Sequence, residues 1–104
     1  MSFFAGRRLK TGVRPGVDME VSDLFERFEI EFEIEIPEAA ESALITVRDV
    51  RDYIRQVYRE QGVEAPAGAI FERVRRLMAV LTRNDASEIE PATRLADLVP
   101  KRLF

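Results

Sequence analysis

At 104 residues the chain is long enough for one small domain and no more. Hydrophobic residues make up 46%, enough to fill a core, and the absence of cysteine and histidine excludes disulfides, thiol nucleophiles, cysteine zinc sites and the commonest general base and metal ligand. The net charge of −3 hides a sorted distribution: Arg7, Arg8, Lys10 and Arg14 stand without an acid before residue 16, whereas Asp18, Glu20, Asp23, Glu26, Glu29, Glu31, Glu33, Glu35, Glu38 and Glu41 face Arg27 alone.

An acidic block this dense repels nucleic acid and favours a basic protein partner; a solvated face with no partner carries the same signature. No apolar run is long enough to span a bilayer. The first six residues lack the charged lead-in of a secretory signal, and Gly is not the second residue, so myristoylation is not indicated. The expectation is a cytoplasmic protein with neither a membrane nor a nucleic-acid partner.

Gly6, Gly12, Pro15 and Gly16 break up residues 1–17, which read as a basic arm, mobile or loosely docked. From Val21 the apolar positions Val21, Leu24, Phe25, Phe28 and Phe32 follow helical spacing, with Asp18 able to cap the start. Residues 28–36, however, alternate strictly between apolar and Glu, the pattern of a half-buried strand. Phe28 and Phe32 satisfy both periods, and the pattern alone favours the strand.

Pro37–Ala43 suits a short helix with Pro near its start. Thr46-Val47-Arg48-Asp49 resembles a capping box with Asp in place of Glu, and Val47, Val50, Ile54, Val57 and Tyr58 mark the inner face of the helix that follows. Arg48, Asp49, Arg51, Asp52, Arg55 and Arg59 fall mostly on its wet face, and Gly62 stops it. After a linker over 61–68, Ile70, Phe71, Val74, Leu77, Met78 and Leu81 predict a second long helix, broken at Asn84-Asp85. Ile89, Leu95, Leu98 and Val99 then supply apolar contacts from a loop with one short turn before Pro100.

Three stretches carry a family resemblance. Glu31-Phe32-Glu33-Ile34-Glu35-Ile36-Pro37 is similar to the stretch that ends the second helix of acyl carrier proteins. Ile45-Thr46-Val47-Arg48-Asp49-Val50-Arg51-Asp52-Tyr53-Ile54 resembles the start of their last helix, and Ile89–Leu98 resembles the loop after their first helix, down to its Asp97-Leu98. The order is rotated: residues 19–58 match the back half of that family and residues 70–98 the front half. The resemblance implies an all-α fold, a circularly permuted carrier-like bundle of three main helices plus a short one, in a single domain over 18–104. It also implies that the first helix continues to Phe32 and that Ile34 and Ile36 are loop plugs in the core rather than strand residues. In the family the first helix runs antiparallel to the last, so Tyr58 and Ile70 should be neighbours; the same sequence also allows a swapped homodimer.

The family's phosphopantetheine serine has no counterpart. Counting back from Phe32 its position falls on Asp18, and counting on from Leu98 it falls near Arg102. Ser22 is the fallback, one turn late by that count. The expected function is therefore a non-catalytic docking domain without a cofactor, presenting Asp18, Glu20, Asp23, Glu26 and Glu29 to a basic partner such as an acyl- or peptidyl-transfer enzyme. The alternative is a carrier modified at Ser22. An enzyme lacking His and Cys would depend on Tyr53, Tyr58, Lys10, Lys101 or carboxylates that this spacing scatters. Nucleic-acid binding would depend on the arm or on Arg73, Arg75 and Arg76.

Overall fold

A computed structural model describes residues 19–99. The expected arm over 1–17, Asp18, and the C-terminal residues 100–104 with Arg102 lie outside the described residues. Among those described, the fold is all-α: α1 (Val21–Phe32), α2 (Glu38–Glu41), α3 (Val47–Glu60), α4 (Ala67–Thr82), a 3₁₀ turn (Ala86–Glu88) and α5 (Leu95–Leu98). The three long helices have 12, 14 and 16 residues.

In α1 the helical period prevails over the alternating one. Leu24, Phe25, Phe28 and Phe32 turn inward, while Ile30, which a strand would place beside Phe28 and Phe32, is 47% exposed. The N-cap position falls at Glu20, two residues beyond the expected Asp18. The helix opens at Val21 with Glu20 at the N-cap, where the Asp23 carboxylate accepts the Glu20 backbone N–H at 2.9 Å and the Asp23 N–H donates to the Glu20 carbonyl. At the other end Glu33 takes a left-handed conformation (φ 56°), and its N–H and that of Ile34 both donate to the Glu29 carbonyl. The chain then swings back across the core. Ile34 and Ile36 are buried as plugs, and Tyr58 and Tyr53 donate their hydroxyls to the carbonyls of Phe32 and Glu35 on either side of Ile34.

The first turn of α3 is closed from two directions. The Thr46 hydroxyl accepts the Asp49 N–H, and the Asp49 carboxylate accepts the N–H groups of Thr46 and Ile45. The next two orphan donors, Val47 and Arg48, bond to the carbonyls of Thr93 and Pro91. Leu95 N–H donates to the Ile45 carbonyl, completing an isolated antiparallel bridge between Thr46 and Arg94. The 91–95 loop is thereby fastened to the start of α3. Gly62, at φ 83°, carries the turn that ends the helix, its N–H donating to the Arg59 carbonyl.

Helix α4 begins at Ala67, earlier than its apolar spacing predicts, because Pro66 in extended conformation at the N-cap starts it without an intrahelical N–H of its own. It ends at Thr82, with Arg83 left-handed at φ 61°. Ile70, Val74 and Met78 are buried; Phe71, Leu77 and Leu81 are half-buried at the rim. The α4 helix packs against both α3 and α1, and the 3₁₀ turn packs on α4. Asn84 joins the ends, its amide donating to the Leu98 carbonyl at 2.9 Å and to the Thr82 hydroxyl at 2.7 Å. Residues from all three long helices, the 34–36 plug and Ile89, Leu95 and Leu98 form one core cluster. Each fully buried aliphatic or Phe side chain in it contributes about 1.5–3 kcal/mol of burial.

Candidate docking surface

The acids expected on α1 do not share one environment. Glu20 is exposed, and Asp23 and Glu26 are half-buried at its margin. Asp23 is partly engaged in closing the N-terminus. Glu29 is a correction: only 3% of it is exposed, and its Oε2 accepts the Ile36 N–H at 2.7 Å. A buried carboxylate needs such partners, and this bond fixes the plug against the helix instead of offering a charge to solvent. The sequence held the signal. Glu29 lies four residues after Phe25 and three before Phe32, on the inward face set by those two phenylalanines.

Two further acids belong to the surface that α1 begins. Glu38 is exposed and Glu41 half-buried, both on α2. The Glu41 carboxyl is held above its usual value, first by partial burial and then by the charges of Glu38, Glu29 and Glu26. Tyr53 is pushed up too, first by burial and then by Glu60, Glu29 and Glu35. Glu26, Glu29, Glu38 and Glu41 thus lie near enough to one another for their charges to interact. Among the described residues no cation pairs with Glu20, Asp23, Glu38 or Glu41, whereas Glu31 meets Arg73 of α4 at 3.5 Å. Among the described residues no three His, Cys, Asp or Glu side chains are grouped to hold a metal ion. Singling out α1 from sequence missed Glu38 and Glu41, because only the 33–37 reversal returns α2 to the same side.

Ser22 is the second residue of α1 and is exposed. It therefore stands in the first helical turn, although counting back from Phe32 places it a turn late. Two of the three α4 arginines are engaged. Arg73 lies over the Phe32 ring at 4.4 Å, and Arg75 reaches Glu72 at 2.6 Å and lies 5.2 Å from the Phe71 ring centroid. Arg76 is exposed.

No family model matches the chain. No curated protein matches it, and no solved structure does.

Proposed function

We propose that the chain is a non-catalytic docking domain of carrier-protein type in circularly permuted order, receiving a basic protein partner on the acidic side formed by α1 and α2. The observation that carries this reading is the closeness of Glu38 to Glu41, whose carboxyl is raised first by burial and then by the charges of Glu38, Glu29 and Glu26, with Glu20 and Asp23 at the opening of α1. An acidic surface draws a basic partner in by long-range attraction that salt weakens. The carrier-type reading is supported by the short linker that lays α4 against α3, by the 91–95 loop on the first turn of α3, and by the Ile34 and Ile36 plugs.

The test uses a lysine-rich helical peptide titrated into the isotopically labelled protein at low and high salt. Backbone shifts should concentrate on α1 and α2, fade with salt, and vanish in Glu20→Lys/Glu26→Lys while the remaining spectrum keeps its dispersion. Shifts scattered over the whole molecule, or unchanged by the double reversal, would contradict the docking reading.

A second reading rests on the place of Ser22. An exposed serine in the first turn of a 12-residue helix offers a hydroxyl where the positive end of the helix favours a phosphodiester. The order Ser22-Asp23-Leu24 departs from the family's Asp-Ser-Leu. Incubation with coenzyme A and a phosphopantetheinyl transferase should add the prosthetic mass to the wild type and not to Ser22→Ala if this reading holds. An unchanged intact mass removes it.

A further inference from the structure

The outer side of α3 carries a charge pattern that the acidic docking surface does not use. Arg48, Arg51, Arg55 and Arg59 follow one another at spacings of three and four, so they form a single line along the helix, spanning about 16 Å at 1.5 Å per residue. Arg48 and Arg59 are exposed at its ends, and Arg51 and Arg55 are half-buried between them. Asp52 neutralises one member, accepting from Arg51 Nε at 2.8 Å. Among the described residues Arg48, Arg55 and Arg59 pair with no acid. Arg55 Nε is buried and has no hydrogen-bond acceptor at all. A buried donor without an acceptor is rare in a folded protein, and charged groups suffer most from it.

The complementary surface is present on the same chain. Glu20, Asp23, Glu38 and Glu41 form no ion pair with the α3 arginines within one molecule. Two exposed isoleucines lie near these faces along the chain, Ile30 one turn beyond Glu26 on α1 and Ile45 just before the Thr46 cap of α3. We propose that two copies associate head to tail, the arginine line of α3 in one receiving the acidic α1–α2 side of the next. This rests on the reading of α1–α2 as a docking surface and names one basic partner for it, a second copy of this chain. Because each copy contributes a different face, the contact is heterologous and leaves one acidic and one basic face free for further copies.

The test is sedimentation velocity and light scattering of the full chain over a concentration series at low and high salt. The wild type should gain mass with concentration and lose it with salt. Arg48→Glu/Arg59→Glu and Glu20→Lys/Glu38→Lys change exposed side chains only, and each should weaken self-association by roughly tenfold or more. Mixed in equal amounts, the two variants should regain the association each lacks alone, since one keeps the acidic face, the other keeps the arginine line, and the two reversed faces are complementary to each other. A wild type that stays monomeric at every concentration overturns the proposal. So does a dimer that persists in high salt and in both variants, as a swapped dimer would. If the chain is monomeric and Arg48→Glu/Arg59→Glu abolishes binding to a DNA duplex, the arginine line serves nucleic acid and the proposal falls. Should the lysine-rich peptide still bind α1–α2 in a strictly monomeric chain, only this inference fails and the docking reading stands.

Discussion

Asp49 and Glu29 show how differently two acids of one chain can be used. Asp49 accepts from the N–H groups of Thr46 and Ile45 at the start of α3. Its carboxyl lies below the usual 3.8 chiefly because of the backbone bond from Thr46, against a smaller opposing effect of burial. The folded state therefore prefers the ionised form. That preference contributes stability above pH 3.8 and is lost as pH falls through the lowered value. Asp49→Asn should cost about 1 kcal/mol at neutral pH, and its deficit relative to wild type should shrink in acid, as urea titrations at pH 7 and pH 3 will measure. Neighbouring residues on α4 provide a second check. Met78 is fully buried and Leu77 only half-buried, so Met78→Ala should cost roughly 2–5 kcal/mol and Leu77→Ala distinctly less. Equal costs would mean the inward face of α4 has been misplaced. At this scale the Thr46–Asp49 capping box was legible from sequence, because it involves neighbours along the chain. The burial of Glu29 was signalled by Phe25 and Phe32 on its face, but the bond to Ile36 required the chain to reverse.

Among the elements, residues 28–36 are where local pattern and tertiary packing conflicted. Alternation favours a strand, yet a strand would need a neighbour to satisfy its backbone, and the described residues contain only the Thr46–Arg94 bridge. A helix to Phe32 satisfies its own backbone, and the plug that follows is held by Glu29, Tyr53 and Tyr58. Tyr58→Phe removes one of these tethers and should cost about 0.5–1.5 kcal/mol. Hydrogen exchange should show the 33–36 amides losing protection before those of α3. The end of α4 holds a removable cost, since Arg83 occupies a left-handed conformation that glycine adopts freely. Arg83→Gly should stabilise the chain by roughly 0.5–1.5 kcal/mol in thermal or denaturant unfolding. A loss of stability would mean that the Arg83 side chain makes a contact outweighing the backbone gain.

For the molecule as a whole, the reach of the 61–66 linker decides how α4 meets α3. Val63 and Glu64 are exposed within it, so inserted residues there meet solvent. Doubling the linker with Gly and Ser between Val63 and Glu64 should cost only about 0.6 kcal/mol if α4 packs on α3 of its own chain, with one cooperative transition by circular dichroism. A change from monomer to dimer on lengthening or shortening would point to exchange of α4 between copies.

Helical period, capping chemistry, and the lack of histidine and cysteine are properties of the chain itself. From them the sequence alone determined the start of the first long helix, the two later long helices with their ends to within a few residues, and the exclusion of cysteine and histidine chemistry. Which acids face water, whether residues 28–36 bend or extend, and that Glu38 and Glu41 of α2 come near Glu26 and Glu29 of α1 were decided only by tertiary structure. Each depends on residues distant along the chain being brought together, and neither propensity nor period encodes that distance.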